Sequence, residues 1–205
     1  MHAESLTKEA ASLLPFFRRF KGYYLVGGTA LALHIGHRVS VDFDFFSPQE
    51  LPRNLLQRVK HVFAGHSVVV TYAAYEQVSL VINGVKTTFF YYTYPVQEEF
   101  VLYKDIPLAS VSEIAAMKAF AIGKRIAYKD YVDWYFLLKE GHVNIQQVTA
   151  LARKKYGNDF NDRLFLGQLA SLGDVPTQTI NFLKGEVRRK TIEKFLKKTV
   201  KEYMR

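Results

Sequence analysis

The chain has no cysteine, so neither a disulfide framework nor a thiolate-bound metal can shape it, and a reducing compartment suits it. No apolar run approaches the roughly 20 residues that a bilayer-spanning helix needs, and the opening residues, Met1 to Ser5, lack the basic-then-apolar order of a signal peptide. No internal repeat or low-complexity tract appears. These absences lead to the expectation of a globular cytoplasmic protein with no membrane segment. What is present agrees: 205 residues, 49% of them hydrophobic, suffice for one substantial core or for a small α/β unit with a helical extension. The formal charge of +9 is unevenly spread. Lys184 to Arg205 holds nine Lys or Arg against three Glu. A solvated helix face explains such a run, and so does an electrostatic footprint for RNA or an acidic partner. Composition does not choose between them.

The chain is organised around Tyr24 to Phe46. Tyr24 to Val26 reads as a short buried strand, and Gly27-Gly28 lets the backbone turn sharply and lie close to whatever sits above it. Thr29 is placed to cap a short helix over Ala30 to Ile35, which Gly36 ends. Val39 to Phe46 then alternates, predicting a strand with Ser40, Asp42, Asp44 and Phe46 on one face and Val39, Val41, Phe43 and Phe45 on the other. Asp42 and Asp44 would project side by side, about 7 Å apart by strand rise. Two carboxylates framed by large apolar residues need a proton, basic neighbours or a divalent cation. A hard cation with oxygen ligands, Mg²⁺ with Mn²⁺ as the alternative, makes use of both acids. Taken singly, a Gly-Gly is more often a plain turn and an Asp-x-Asp more often a solvated face. The order strand, Gly-Gly, helix, acidic strand points further, because the helix N-terminus aims free N–H groups at an anion beside the acids. That is a nucleoside triphosphate site in outline.

The residues Leu25 to Thr29 and His37 to Phe46 resemble the nucleotidyltransferase superfamily pattern, a Gly-Gly or Gly-Ser turn followed by an acid pair between hydrophobic residues. In particular they resemble the AbiEii/AbiGii group, the toxin half of type IV toxin–antitoxin systems. The resemblance implies a Mg²⁺-dependent transfer of a nucleoside monophosphate from an NTP to a hydroxyl acceptor, with an RNA such as tRNA as acceptor and an antitoxin protein as partner.

The rest of the chain supplies an α/β (α+β) reading: a mixed sheet of about five strands with flanking helices over residues 1–107, then a helical bundle over 108–205 ending in a basic helix. A helix is predicted over Glu4 to Leu14, with Phe16, Phe17 and Phe20 beneath the sheet, and another over Pro52 to Phe63. Strands follow at Val68–Ala74, Val78–Ile82 and Val85–Tyr94, the last two joined by the hairpin signal Asn83-Gly84, and Phe100 to Tyr103 adds an edge strand. Ser110 to Glu113 is a capping-box signature opening a helix to about Ile126. Further helices are expected over Tyr128–Lys139, from Asn144 to near Tyr156, over Asp159–Leu172 and over Thr191–Tyr203, the last docking Ile192, Phe195, Leu196, Val200 and Tyr203.

A second cluster of candidates lies in the helical half. Lys118 and Arg125 interrupt an apolar stripe marked by Ile114, Met117 and Ala121, and buried cations are costly unless they face anions. In the next helix Asp130 and Asp133 sit among residues that are apolar nearly all round. A structural ion pair of Asp133 with Lys118 or Arg125 is one explanation. The other puts Lys118 or Arg125 on the triphosphate with Asp133 orienting one of them. The toxin group carries a Lys and an Arg in that helix and a Lys-Asp-x-x-Asp step after it, so the resemblance implies a site role for Lys118, Arg125, Lys129, Asp130 and Asp133. It also makes Gly27, Gly28, Thr29, Arg38 and Ser40 nucleotide contacts, with His37 beside them. One departure stands out. Nucleotidyltransferases usually carry a third carboxylate on a neighbouring strand, where this chain offers Thr87 and Thr88; Glu76 is a weak substitute. A threonine donates hydrogen bonds but takes no proton at neutral pH. Two other readings therefore stand beside transfer: a nucleotide- or RNA-binding protein that keeps the cleft without the chemistry, and a partner-binding module.

Overall fold

The computed structural model describes residues 1–122, 124, 125 and 127–205, which divide into two compact units, residues 1–95 with 99–109, and residues 96–98 with 110–205.

The first unit is a sheet with helices against it. Its strands are β1 (Tyr24–Val26), β2 (Phe43–Ser47), β3 (Val68–Ala73), β4 (Gln77–Ile82), β5 (Val85–Tyr91), β6 (Val101–Tyr103) and β7 (Ile106–Leu108), and its helices are α1 (Lys8–Leu13), α2 (Gly27–Ile35) and α3 (Leu55–Val62). Among the described residues the sheet has seven strands in the order β3-β4-β5-β2-β1-β7-β6. The β1–β7 and β2–β5 pairs are parallel and the remainder antiparallel, so the sheet is mixed, as expected. About five strands were expected. The edge strand expected over Phe100–Tyr103 forms as β6, and the strand not anticipated is β7, three residues long and too short to show an alternation. Their turn uses Lys104 and Asp105 at positive φ (50° and 62°), where no glycine flags it, and Pro107 inside β7 reads as a breaker in sequence. The Asn83-Gly84 hairpin forms as its dipeptide predicts, with both residues at positive φ.

One face of this sheet makes the core. Phe43, Phe45 and Phe89 point from it onto Phe17, Phe20 and Phe63, with Phe17–Phe45 centroids 4.5 Å apart and Phe17–Phe63 5.2 Å. Each such ring removed from water contributes about 1.5–3 kcal/mol. The N-terminal helix is shorter than its pattern suggests. A 3₁₀ turn (Ala3–Ser5) precedes α1, which is capped by Thr7 through a 3.2 Å bond from the Ala10 N–H, and a second 3₁₀ turn over Leu14–Arg19 takes Pro15.

The second unit is helical: α4 (Val111–Ile122), α5 (Tyr128–Lys139), α6 (Ile145–Tyr156), α7 (Asp162–Leu169) and α8 (Arg189–Tyr203). The helix from Ser110 was expected to reach Ile126, a residue outside those described. The Ser110 cap forms, its hydroxyl accepting from the Glu113 N–H at 3.1 Å. Glu113 does not close the box. Its carboxylate accepts from the Gln97 N–H and meets Lys155 of α6 at 2.5 Å, with both side chains fully buried. Asn144 and Gln147 do form a reciprocal capping box at α6. The fourth helix is shorter than expected, because Asn161 caps α7 and residues 157–159 form a 3₁₀ turn. In α8, Ile192, Leu196 and Val200 are buried, while Tyr203 is 40% exposed and lies outside the docked stripe.

Candidate active site

In the first unit every element of the site is positioned by the turn from β1 into α2. Gly27 adopts φ +71°, a conformation that suits glycine, and a Cβ there would stand 2.7 Å from Asp44 Oδ2. Gly28 is constrained by a neighbour, since its Cβ would lie 2.5 Å from Arg38 Nη2. The double glycine is therefore a space through which one carboxylate and one guanidinium approach the first turn of α2. The helix is capped at Val26 without a side-chain bond. Thr29, expected as the cap, lies inside that first turn, and its hydroxyl is spent on the acidic segment: it bonds Ser40 Oγ at 2.8 Å, the Asp42 carbonyl, and Asp42 Oδ1 at 3.4 Å. Ser40 Oγ donates to the same Asp42 oxygen at 3.5 Å. Arg38 is 4% exposed, and its Nη1 donates to the Val39 carbonyl at 3.2 Å and to Ser40 Oγ at 3.4 Å. Gly36 ends α2 at φ +62°, as expected.

The acidic segment differs from its sequence reading. The strand was expected over Val39–Phe46, but β2 begins at Phe43, and Val41 is 57% exposed where the alternation would bury it. The physical reason is the neighbouring pairing: Ser40 bridges to Leu6 instead of joining the β1–β2 ladder. Both carboxylates still lie at the first turn of α2, Asp42 beside Thr29 and Asp44 over Gly27, and both are half-buried. His37, just upstream, is wholly buried.

Register identifies the neighbours of Asp44 across the sheet, and they carry no acid. Thr88 of β5 pairs with Asp44 of β2, and Ser79 of β4 pairs with Thr88. The row continues as hydroxyl and amide: Ser79 Oγ is 3.4 Å from Thr88 Oγ1 and accepts from Gln77 Nε2 at 2.8 Å. Glu76 is exposed in the β3–β4 turn, three ladder positions along from Thr88.

These residues suit a divalent cation. Gly27 leaves room for a carboxylate where a side chain would otherwise stand, and the nearby donors are hard oxygens. Among the described residues no group of three or more His, Cys, Asp or Glu gathers. A cation here would take two protein carboxylates, Asp42 and Asp44, with water and phosphate oxygens completing its shell, as Mg²⁺ tolerates.

In the second unit Lys118, Arg125, Asp130 and Asp133 form one cluster. Lys118 Nζ lies 2.8 Å from Asp130 Oδ1 and 2.6 Å from Asp133 Oδ2, with all three side chains at most 5% exposed. Arg125 clasps Asp130 with two bonds of 3.0 Å, Nε to Oδ2 and Nη2 to Oδ1, while 55% of its own side chain remains exposed. Burial disfavours the Lys118 ammonium, but the two carboxylates outweigh it and raise its pKa above the ordinary lysine value. Burial likewise opposes the Asp130 carboxylate, and Lys118 with Arg125 overcomes this and holds its pKa low. Asp130 is the hub that sequence reasoning underrated in favour of Asp133. The i, i+3 spacing of the two acids on α5 was the available signal. Lys129 lies between them and the start of α5.

The profile of the family described as "Nucleotidyl transferase AbiEii toxin, Type IV TA system" matches residues 10–100 and 93–204. The chain belongs to this family. It is thereby a nucleotidyltransferase of the toxin class, and the family implies an NTP substrate and an antitoxin partner. An uncharacterised protein of Aquifex aeolicus is 32% identical over 185 residues, covering 89% of this chain and 88% of that protein. In fold the nucleotidyltransferase resembles the toxin MenT4 from Mycobacterium tuberculosis (TM-score 0.64, 16% identity, 97% of this chain and 86% of that one). It also resembles a candidate nucleotidyltransferase from Helicobacter pylori (TM-score 0.62, 17% identity, 96% and 95%). No helix among the described residues is long and apolar enough to cross a membrane.

Proposed function

We propose that the protein transfers a nucleoside monophosphate from an NTP to a hydroxyl of an RNA such as tRNA, with Asp42 and Asp44 holding Mg²⁺ at the first turn of α2. The observation that supports this most is the Gly27–Asp44 approach: a residue at positive φ whose missing side chain admits a carboxylate to a helix N-terminus. The bound cation supplies charge neutralisation on phosphate oxygens. The N–H groups of the first turn of α2 receive the β- and γ-phosphates. Arg38, enclosed over Gly28, adds positive charge to that turn, and Ser40 and Thr29 orient Asp42. The acceptor oxygen attacks the α-phosphorus, the bond to the bridging oxygen breaks, and pyrophosphate leaves. The acceptor proton passes to water, because Thr88 beside Asp44 takes no proton near neutral pH. Catalysis of this kind is mostly positioning and electrostatics.

In the helical unit Arg125, whose side chain is 55% exposed, is the cation of its cluster best able to meet an anion. Lys118, Asp130 and Asp133 set its position, and Lys129 adds positive charge nearby. The test is label transfer from each α-labelled NTP to total tRNA, with Mg²⁺ or Mn²⁺. Transfer lost in Asp42→Asn supports the reading; NTP-dependent thermal stabilisation without transfer under any condition overturns it.

A further inference from the structure

One helix of the second unit carries charges arranged against its own stability. Lys184 to Arg205 accounts for +6 of the chain's +9, and most of that lies on α8. The helix is two-sided: Ile192, Leu196 and Val200 are buried, while Lys190, Lys194, Lys197, Lys198 and Lys201 are exposed. At 3.6 residues per turn the five lysines fall within an arc of about 100° on the side away from the buried stripe, and no apolar residue shares that arc. A helix face made only for solvation places Glu and Lys four apart. Here Lys190–Lys194, Lys194–Lys198 and Lys197–Lys201 are like-charged pairs at that spacing, each of which destabilises a helix. The first turn has no acid and holds Arg189 and Lys190 next to the N-cap Arg188, cations at the positive end of the helix dipole. Two acids answer part of this charge, Glu193 meeting Lys197 at 2.7 Å and Glu202 meeting Lys198 at 3.7 Å. Among the described residues Lys190, Lys194 and Lys201 are in no ion pair. These three lie within about 40° of one another around the helix axis and span about 16 Å of its length.

We infer that this stripe is a docking surface for the phosphate backbone of RNA, with Lys190, Lys194 and Lys201 facing phosphates. RNA as the occupant rests on the proposed transfer to an RNA hydroxyl; the need for a polyanion rests on α8 alone. A row of phosphates offsets the repulsion among the lysines, and its displaced counterions add to the affinity. Lysine ammoniums are point charges on flexible stems, suited to a backbone that is held without regard to sequence. A protein partner fits less well, because protein–protein interfaces are depleted of lysine and have an apolar centre, which this arc lacks. A lipid surface fits less well too, because the apolar face that an interfacial helix inserts is already packed into the unit.

The experiment measures equilibrium binding of total tRNA to the full chain across a salt series, for the unaltered protein and two triple variants of equal net charge. One combines Lys190→Gln, Lys194→Gln and Lys201→Gln. The other changes the exposed Lys21, Lys60 and Lys86 of the first unit to Gln. The stripe variant is expected to lose at least about 10-fold in tRNA affinity at about 0.1 M salt, with a slope of log K against log salt shallower by about 2 to 3. Its unfolding temperature should be unchanged or raised, because each like-charged pair loses a member. The first-unit variant should keep affinity and slope within error. Equal or greater loss in the first-unit variant would make the effect one of net charge and overturn the stripe, as would no loss in either or a stripe variant that unfolds at lower temperature. Polyglutamate that binds as tightly as tRNA, and is lost with it in the stripe variant, would overturn RNA in favour of an acidic protein. Stripe-dependent tRNA binding in a protein that transfers no label from any NTP would uphold the surface and bring down the transfer reading alone.

Discussion

Two acidic pairs, one in each unit, have opposite fates. Asp130 and Asp133 are closed in with Lys118 and clasped by Arg125, so the cluster carries two positive and two negative charges and balances itself. Asp42 and Asp44 are half-buried at a helix N-terminus, with the hydroxyls of Thr29 and Ser40 against Asp42. A self-balanced buried cluster is suited to holding a geometry. A half-buried pair at a positive helix end is, on the proposed reading, suited to holding a cation beside an anion. The two pairs differ in burial, which residue type alone does not reveal.

The comparison is tested most severely at the half-buried pair. Asp44→Asn is expected to lower transfer by at least about 10²-fold while leaving the unfolding temperature nearly unchanged, measured by label transfer and thermal unfolding in parallel. The closed cluster should respond the other way. Lys118→Met leaves two buried acids facing each other and should cost about 3–5 kcal/mol of stability, read from urea unfolding. A variant that lost activity with full stability would show that Lys118 belongs to the chemistry instead. Between these lies Gly27→Ala, which forces a side chain into a left-handed conformation costing about 1–2 kcal/mol and displaces the Asp44 carboxylate. Both stability and transfer should fall.

A pH series sharpens the contrast within the helical unit. Asp130 has its folded pKa below the ordinary 3.8, so its contribution is intact above that value and drains as pH falls through the folded pKa. Asp130→Asn should remove this acid limb from the stability profile. Lys118 works with the opposite sign: its raised pKa gives stability that is full below 10.5 and lost as pH rises through the folded value. The smallest effect is expected at Thr88. Thr88→Val should cost about 1 kcal/mol or less and leave the pH dependence of transfer unchanged, since its hydroxyl is not a base.

Much of the fold was legible. The Tyr128–Lys139 helix, the Asn144 cap and the Asn83-Gly84 hairpin follow from local chemistry that acts over a few residues. What was missed has a common cause. Val41 is exposed because Ser40 bridges to Leu6, and Glu113 leaves its capping box because Lys155, 42 residues away, takes its carboxylate. Thr29 gave up capping for the Asp42 segment in the same way. Each is a long-range contact prevailing over a local preference worth about 1 kcal/mol.

The amino-acid order by itself determined the strand–glycine–helix turn, the presence of an acid pair after it and the family to which these belong, because glycine conformation and hydrophobic period are local properties. Only the folded chain decided that Asp44 lies over Gly27, that Arg38 covers Gly28, that Thr88 is the neighbour of Asp44 and that Asp130 gathers both cations. Those relations join residues distant along the chain. Strand register and helix packing bring them together, and no local preference encodes either.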